Sequence, residues 1–210
     1  MQFLTNSAQK VFSELSGHEL LKEFTFVGGS AVAYHLRHRL SEDLDFFTWK
    51  DKLPEEINQL IRLLSKRSNI QIASQSSVYS DIFIDNVKVT FFANDWSPLR
   101  TERTLTEQNI FTADLKLLTA MKVNALSLRA KYRDYYDLYV INKTEFDINR
   151  IFEYAVEYIP GITKKIFAMQ LTYTEDIDDE KIEHLMPKYK ITLEEIQKHF
   201  MAELKTIVNG

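Results

Sequence analysis

Few local patterns constrain a chain as strongly as a strand that runs into two glycines and then a helix, and residues 24–47 contain one. Phe24 to Val27 is aromatic and β-branched, as a buried strand is. Gly28-Gly29, two of the five glycines in the chain, let the backbone turn sharply and approach a ligand closely. Ser30 falls where a helix begins, and the free N–H groups and positive dipole end of a helix N-terminus favour a phosphate. Ala31 to His38 is long enough for about two helical turns. Leu44 to Trp49 then reads as a second buried strand. Asp43 and Asp45 are two residues apart, so on an extended chain they point the same way.

Two carboxylates on one face, across from a phosphate-binding turn, suit a Mg²⁺ or Mn²⁺ ion held by carboxylates and substrate phosphates. That is equipment for phosphoryl or nucleotidyl transfer. The arrangement Gly28-Gly29-Ser30, then residues 31–42, then Asp43-Leu44-Asp45 resembles the signature of the polymerase-β-like nucleotidyltransferase superfamily. With Gly-Gly-Ser-Ala-Val-Ala-Tyr-His-Leu and His-Arg-Leu-Ser-Glu-Asp-Leu-Asp-Phe-Phe, including Arg39 and Ser41, it resembles one branch in particular, the AbiEii-type toxins of bacterial toxin–antitoxin systems.

The rest of the chain fits that frame. With 210 residues it is long enough for one large domain or two small ones and a substantial core. It has no cysteine, which excludes disulfides and thiolate metal sites. No apolar run approaches the roughly 20 residues that span a bilayer, so no membrane association is expected and the cytoplasm is the expected compartment. A net charge of −4 argues against a protein that coats nucleic acid non-specifically. The basic residues are nevertheless concentrated: Arg100, Arg103, Lys116, Lys122, Arg129, Lys131 and Arg133 stand against Glu102, Glu107 and Asp114, whereas Glu175 to Glu183 is acidic. A basic middle is compatible with a polyphosphate or an RNA end as ligand, and equally with solvated helix faces.

In order, Asn6 or Ser7 can cap a first helix that Gly17 stops. Pro54 opens a helix carrying Ile57, Leu60, Ile61 and Leu64. Val78 to Ile84 alternates, Asp85-Asn86 turns, and Val87 to Phe92 returns as a strand. Asn94 to Gln108 reads as a connection with room for a short strand, and from Thr112 onward the pattern is helical. The predicted class is α+β: a nucleotidyltransferase-like mixed sheet with flanking helices over residues 1–98, then an all-helical part over residues 99–210.

That helical part carries a second constellation. Lys122 and Arg129 are seven apart on one helix face, and Arg133, Asp134 and Asp137 occupy neighbouring positions of the next helix. Read from spacing alone, this is an Arg133–Asp137 surface pair beside a snorkelling lysine. The toxin branch resembles this region too, with a lysine in one helix and Arg-Asp-x-x-Asp-Leu-Tyr opening the next. The resemblance implies that Lys122 holds nucleotide phosphates and that Asp137 or Asp134 supports the site. It also implies that Gly28, Gly29, Ser30, Ser41, Lys122, Arg129 and Asp134 bind nucleotide and that Asp43 and Asp45 bind metal, with Asp43, Asp45, Lys122 and Asp137 catalytic. A nucleoside triphosphate as substrate, tRNA or another RNA as acceptor, and an antitoxin as partner follow from the same resemblance.

One position departs from the superfamily pattern. A third carboxylate is expected on a later strand, and within Val87 to Phe92 the residue there is Thr90. Three alternatives remain: two carboxylates and one ion suffice, or Asp81, Asp85 or Asp95 substitutes, or the protein binds nucleotide or RNA without turnover.

Overall fold

The computed structural model of the protein describes residues 2–178 and 180–208. Contacts divide the chain into two compact units, Met1–Asp114 and Leu115–Gly210.

The first unit is built on a mixed seven-stranded sheet in the order β3-β4-β5-β2-β1-β7-β6. Its helices are α1 (Asn6–Ser16), α2 (Gly28–Leu36), α3 (Glu56–Leu64) and α4 (Pro98–Thr101), and its strands are β1 (Thr25–Val27), β2 (Leu44–Thr48), β3 (Ile70–Gln75), β4 (Tyr79–Ile84), β5 (Val87–Ala93), β6 (Arg103–Glu107) and β7 (Ile110–Ala113). The start of α1 differs from expectation. Thr5, not Asn6 or Ser7, is the cap, its side chain accepting from the Ala8 N–H at 3.4 Å.

Strands β2, β4 and β5 alternate strictly between buried and half-open residues, the pattern of a sheet with one face packed on a core. On the packed face Phe26, Phe46 and Phe91 lie in register across β1, β2 and β5. Their rings meet at 5.3 and 5.6 Å, and Phe12 of α1 closes on Phe26 at 5.1 Å. Burying each such side chain contributes about 1.5–3 kcal/mol. These aromatic contacts fix which face is core, and therefore which face carries Asp45.

The sequence pattern predicts the division after residue 98, with Asn94 to Gln108 as a connection. Instead β6 and β7 form a hairpin, and β7 pairs in parallel with β1, setting Thr25 against Phe111 and Phe26 against Thr112. This segment therefore completes the sheet. Its polar outer strand β6 lies at a sheet edge and is largely exposed, which is why it lacks a hydrophobic signature.

The second unit is helical: α5 (Leu115–Leu128), α6 (Tyr132–Thr144), α7 (Ile148–Tyr158), α8 (Lys164–Thr172), a 3-10 turn at Glu183–Leu185, and α9 (Leu193–Val208). Helix α5 packs against α6, α7 and α8, and α9 packs against α6, α7 and α8. Asp147 and Thr163 cap α7 and α8 by accepting from Arg150 and Ile166 N–H groups. Asp134, Tyr135, Tyr136, Asp137, Leu138 and Tyr139 are all buried along α6, so this helix is enclosed on every side. A helix enclosed in this way must satisfy its charges internally.

Candidate active site

In the sheet unit, β1 runs straight into α2, and the turn is made by Gly28 at φ +73°. A side chain there would be strained by that backbone angle alone. It would also collide, because a Cβ on Gly28 would stand 2.2 Å from Asp45 Oδ2 and 3.1 Å from Asp45 Cγ. The glycine is thus required by the carboxylate that packs on it. The register explains the approach: Val27, the residue before Gly28, is the antiparallel partner of Asp45.

Asp45 therefore lies against the N-terminus of α2, where backbone N–H groups lack helical partners. Phosphate oxygens bound by those same N–H groups would be repelled by the carboxylate unless a cation stood with them. Two hard carboxylates from Asp43 and Asp45, with phosphate oxygens and water, make a donor set suited to Mg²⁺. Among the described residues, no cluster of three or more His, Cys, Asp or Glu is gathered around a metal position. An ion held by Asp43 and Asp45 would complete its shell with phosphate oxygens and water.

Ser30 has a different place from the one its position suggests. It is buried, and its hydroxyl donates to the backbone carbonyl of Asp43. A hydroxyl has one proton, so in this arrangement Ser30 cannot also donate to a phosphate. It clips the start of α2 to the approach of β2. Ser41 is likewise buried. Its backbone pairs with Phe3 and Thr5, at 3.0 and 2.9 Å, and its hydroxyl accepts from Arg39 Nη1 at 3.4 Å. These bonds tie the N-terminal segment to the loop before Asp43.

Thr90 stands beside Asp45 as its parallel partner on β5. The antiparallel partner of Thr90 on β4 is Asp81. Asp45, Thr90 and Asp81 are consequently three successive members of one cross-strand row on the half-open face. Thr90 Oγ1 donates to Asp81 Oδ1 at 2.8 Å, and Lys88 Nζ lies 3.6 Å from Asp81 Oδ2. Of the other two carboxylates considered at sequence level, Asp85 sits in the β4–β5 turn at φ +48° and accepts from the Asn69 N–H at 2.8 Å. Asp95 lies beyond β5 at φ +42°. Neither is in the row.

In the helical unit, Lys122 does not snorkel. Its Nζ is 2.8 Å from Asp134 Oδ1 and 2.7 Å from Asp137 Oδ2, with side-chain exposures of 6%, 2% and 0%. Arg129, more than half exposed, reaches the same Asp134 oxygen at 3.4 Å. Burial alone would push the Asp134 carboxyl up, but the charges of Lys122 and Arg129 and the hydrogen bond from Lys122 hold it below the ordinary range. Arg133 pairs with Glu180 at 2.6 Å, and Asp137, expected at the surface from its spacing, is fully buried. Asp179, in the middle of that acidic run, lies outside the described residues.

Several residues of the basic middle have structural partners. Arg103 donates to the Phe24 carbonyl at 2.8 Å and lies over the rings of Trp49 and Phe111 at 4.5 and 4.3 Å. Burial, then the neighbouring Arg100 charge, lowers its pKa. Lys116 pairs with Glu157 at 2.6 Å. Lys122 and Arg133 are also in ion pairs, whereas Arg100, Arg129 and Lys131 are exposed.

A family model described as Nucleotidyl transferase AbiEii toxin, Type IV TA system, matches residues 10–207. An uncharacterized protein of Aquifex aeolicus is 26% identical over 206 residues, covering 98% of either chain. JHP933 from Helicobacter pylori superposes with a TM-score of 0.57 at 19% identity, covering 97% of this chain and 93% of that one. MenT4, a nucleotidyltransferase toxin from Mycobacterium tuberculosis, gives 0.56 at 12% identity, covering 96% and 86%. At such identities these two likenesses are of fold.

Proposed function

The chain belongs to the AbiEii nucleotidyltransferase toxin family, and from that membership we propose a Mg²⁺-dependent transfer of a nucleoside monophosphate from a nucleoside triphosphate to an RNA end. Pyrophosphate is the second product. The observation that carries this reading is the packing of Asp45 against Gly28 at the start of α2, which brings a metal-ligating carboxylate to a phosphate-binding turn. Backbone N–H groups of Gly28, Gly29 and Ser30 are the donors to phosphate oxygens. Asp43 and Asp45 hold the divalent ion, which supplies Lewis-acid polarisation of the phosphoryl group when bound. Ser30 positions Asp43 through its carbonyl, and Ser41 positions the same loop through Phe3 and Thr5.

Lys122 is assigned to the charge of the leaving pyrophosphate, by resemblance to the family's helical lysine. Asp134 and Asp137 grip its ammonium from two directions, so the charge is preorganised. Arg129 adds a second cation on the solvent side of Asp134. A tRNA 3′ terminus is the acceptor the family suggests, a separately encoded antitoxin the partner, and the cytoplasm the compartment. No helix among the described residues is long and apolar enough to cross a membrane.

The test is incubation with each α-labelled nucleoside triphosphate, Mg²⁺ or Mn²⁺, and total RNA. Labelled RNA should form with the wild type and fall to background in Asp45→Ala, as loss of a ligand to the catalytic ion implies, with the circular dichroism spectrum unchanged. Transfer at the wild-type rate by Asp45→Ala would remove the assignment of Asp45, and no transfer by the wild type with any nucleotide would remove the reaction.

A further inference from the structure

The row Asp45, Thr90, Asp81 has an ordered chemistry. Thr90 Oγ1 is the donor and Asp81 Oδ1 the acceptor of a bond of 2.8 Å, so the single hydroxyl proton of Thr90 is directed at Asp81. The lone pairs of Oγ1 then face away from Asp81. Thr90 is the strand partner of Asp45, and neighbouring strands run about 4.8 Å apart. A hydroxyl bound beside Asp45 is therefore within reach of the side of Thr90 that accepts hydrogen bonds. The remaining carboxylate oxygen of Asp81, Oδ2, is occupied by Lys88 at 3.6 Å, which leaves Oδ1 to face Thr90.

We propose that Thr90 and Asp81 form a two-residue proton relay, in which Asp81 is the general base for the acceptor hydroxyl and Thr90 passes the proton to it. The inference rests on the nucleotidyl transfer argued above. As the acceptor oxygen forms its bond to the α-phosphorus, its proton moves to Thr90 Oγ1 while the proton of Thr90 moves to Asp81 Oδ1. The bond from the α-phosphorus to the bridging oxygen breaks, and its electron pair leaves with pyrophosphate. Nothing is oxidised or reduced. A carboxylate one strand further out, reached through a hydroxyl, thus does the work of a carboxylate at position 90. Thr90 is the residue in contact with the reacting hydroxyl, and Asp81 acts through it.

The alternative is a hydrogen bond that merely stiffens the sheet, and the variants separate the two. Thr90→Val keeps the β-branched shape a strand favours, and Asp81→Asn can still accept the Thr90 proton's hydrogen bond but cannot take the proton. Each should lower kcat for transfer to total RNA by about 10²-fold, with KM for the nucleotide unchanged and the melting temperature lowered by no more than the loss of one hydrogen bond. Combining them should cost no more than either alone, and Thr90→Ser should retain the activity. Thr90→Asp places a carboxylate beside Asp45 directly, so adding Asp81→Asn to that background should have no further effect. Transfer by Asp81→Asn at the wild-type rate, or a loss that Thr90→Asp fails to suppress, overturns the relay while leaving the transferase reading intact. No transfer by the wild type overturns both.

Discussion

The two units hold their candidate residues by opposite means. In the sheet unit, position comes from the backbone: Asp45 is set by ladder partners on both sides, Val27 and Thr90, Gly28 by a positive φ, and Ser30 by a bond to a carbonyl. In the helical unit, position comes from charge balance: Lys122, Asp134 and Asp137 are almost wholly removed from water and hold one another. Substitution should therefore have different consequences in the two places. Removing a carboxylate from a strand end takes away chemistry and little stability, whereas removing a member of a buried ion cluster leaves an uncompensated charge in a low-dielectric interior.

The largest effect should come from Lys122→Ala, which strands two buried carboxylates and should cost about 3–5 kcal/mol of stability. Chemical denaturation reads this directly. The same variant lowers activity through unfolding as well as chemistry, so activity alone would not isolate the phosphate role. Lys122→Met combined with Asp134→Asn and Asp137→Asn replaces the whole cluster by neutral groups and should recover most of the stability but not the transfer. Stability unchanged in Lys122→Ala would break the comparison. Acid provides a second reading. The folded Asp134 carboxyl is held below its ordinary value of 3.8, so its contribution is complete above that value and is lost as the pH falls through the lowered one. Asp134→Asn should flatten this acid limb of the stability curve.

A smaller effect separates geometry from contact. Gly28 and Gly161 have nearly the same φ, +73° and +76°, but a Cβ on Gly28 meets Asp45 at 2.2 Å whereas one on Gly161 meets nothing within 4 Å. Alanine at either position should cost about 1–2 kcal/mol for the left-handed conformation. Only Gly28→Ala should also displace Asp45, reducing transfer by about 10²-fold. Equal activity in the two variants would mean that Asp45 does not need its place against the turn.

This contrast also explains what could be read from sequence. The Gly-Gly turn, the carboxylate pair and the two strands around them are local, and local patterns survive without knowledge of packing. The partnership of Asp81 with Thr90 was legible in principle, because a two-residue turn at Asp85-Asn86 fixes the register that sets 84 against 87 and hence 81 against 90. That β5 would lie parallel beside β2 was not legible from any local pattern, so the row could not be extended to Asp45. The helical cluster was legible as a motif but not as a burial. Spacing puts Arg133 near Asp137 on α6, and only the surrounding helices decide that Asp137 faces Lys122 and that Arg133 faces Glu180. A short strand within residues 94–108 was legible, but its hairpin with β7 and its place in the sheet were not, because that outer strand is exposed and polar.

Ser30 offers the smallest and sharpest test of the contrast, because its hydroxyl has two possible duties. As a clip, it donates to the Asp43 carbonyl, and Ser30→Ala removes one buried hydrogen bond, worth about 1 kcal/mol. Alanine is well tolerated in the first turn of a helix, so the backbone N–H groups of α2 should still meet phosphate. Loss of the clip should then lower kcat, through a less well placed Asp43, while KM for the nucleoside triphosphate stays close to the wild-type value. If Ser30 instead turned its proton to a phosphate on binding, the main effect would appear in nucleotide affinity. A rise in KM of about tenfold, equivalent to about 1.4 kcal/mol, with stability unchanged, would assign the hydroxyl to the substrate. The sheet unit would then resemble the helical one, holding its residues through the charges they meet rather than through the backbone alone.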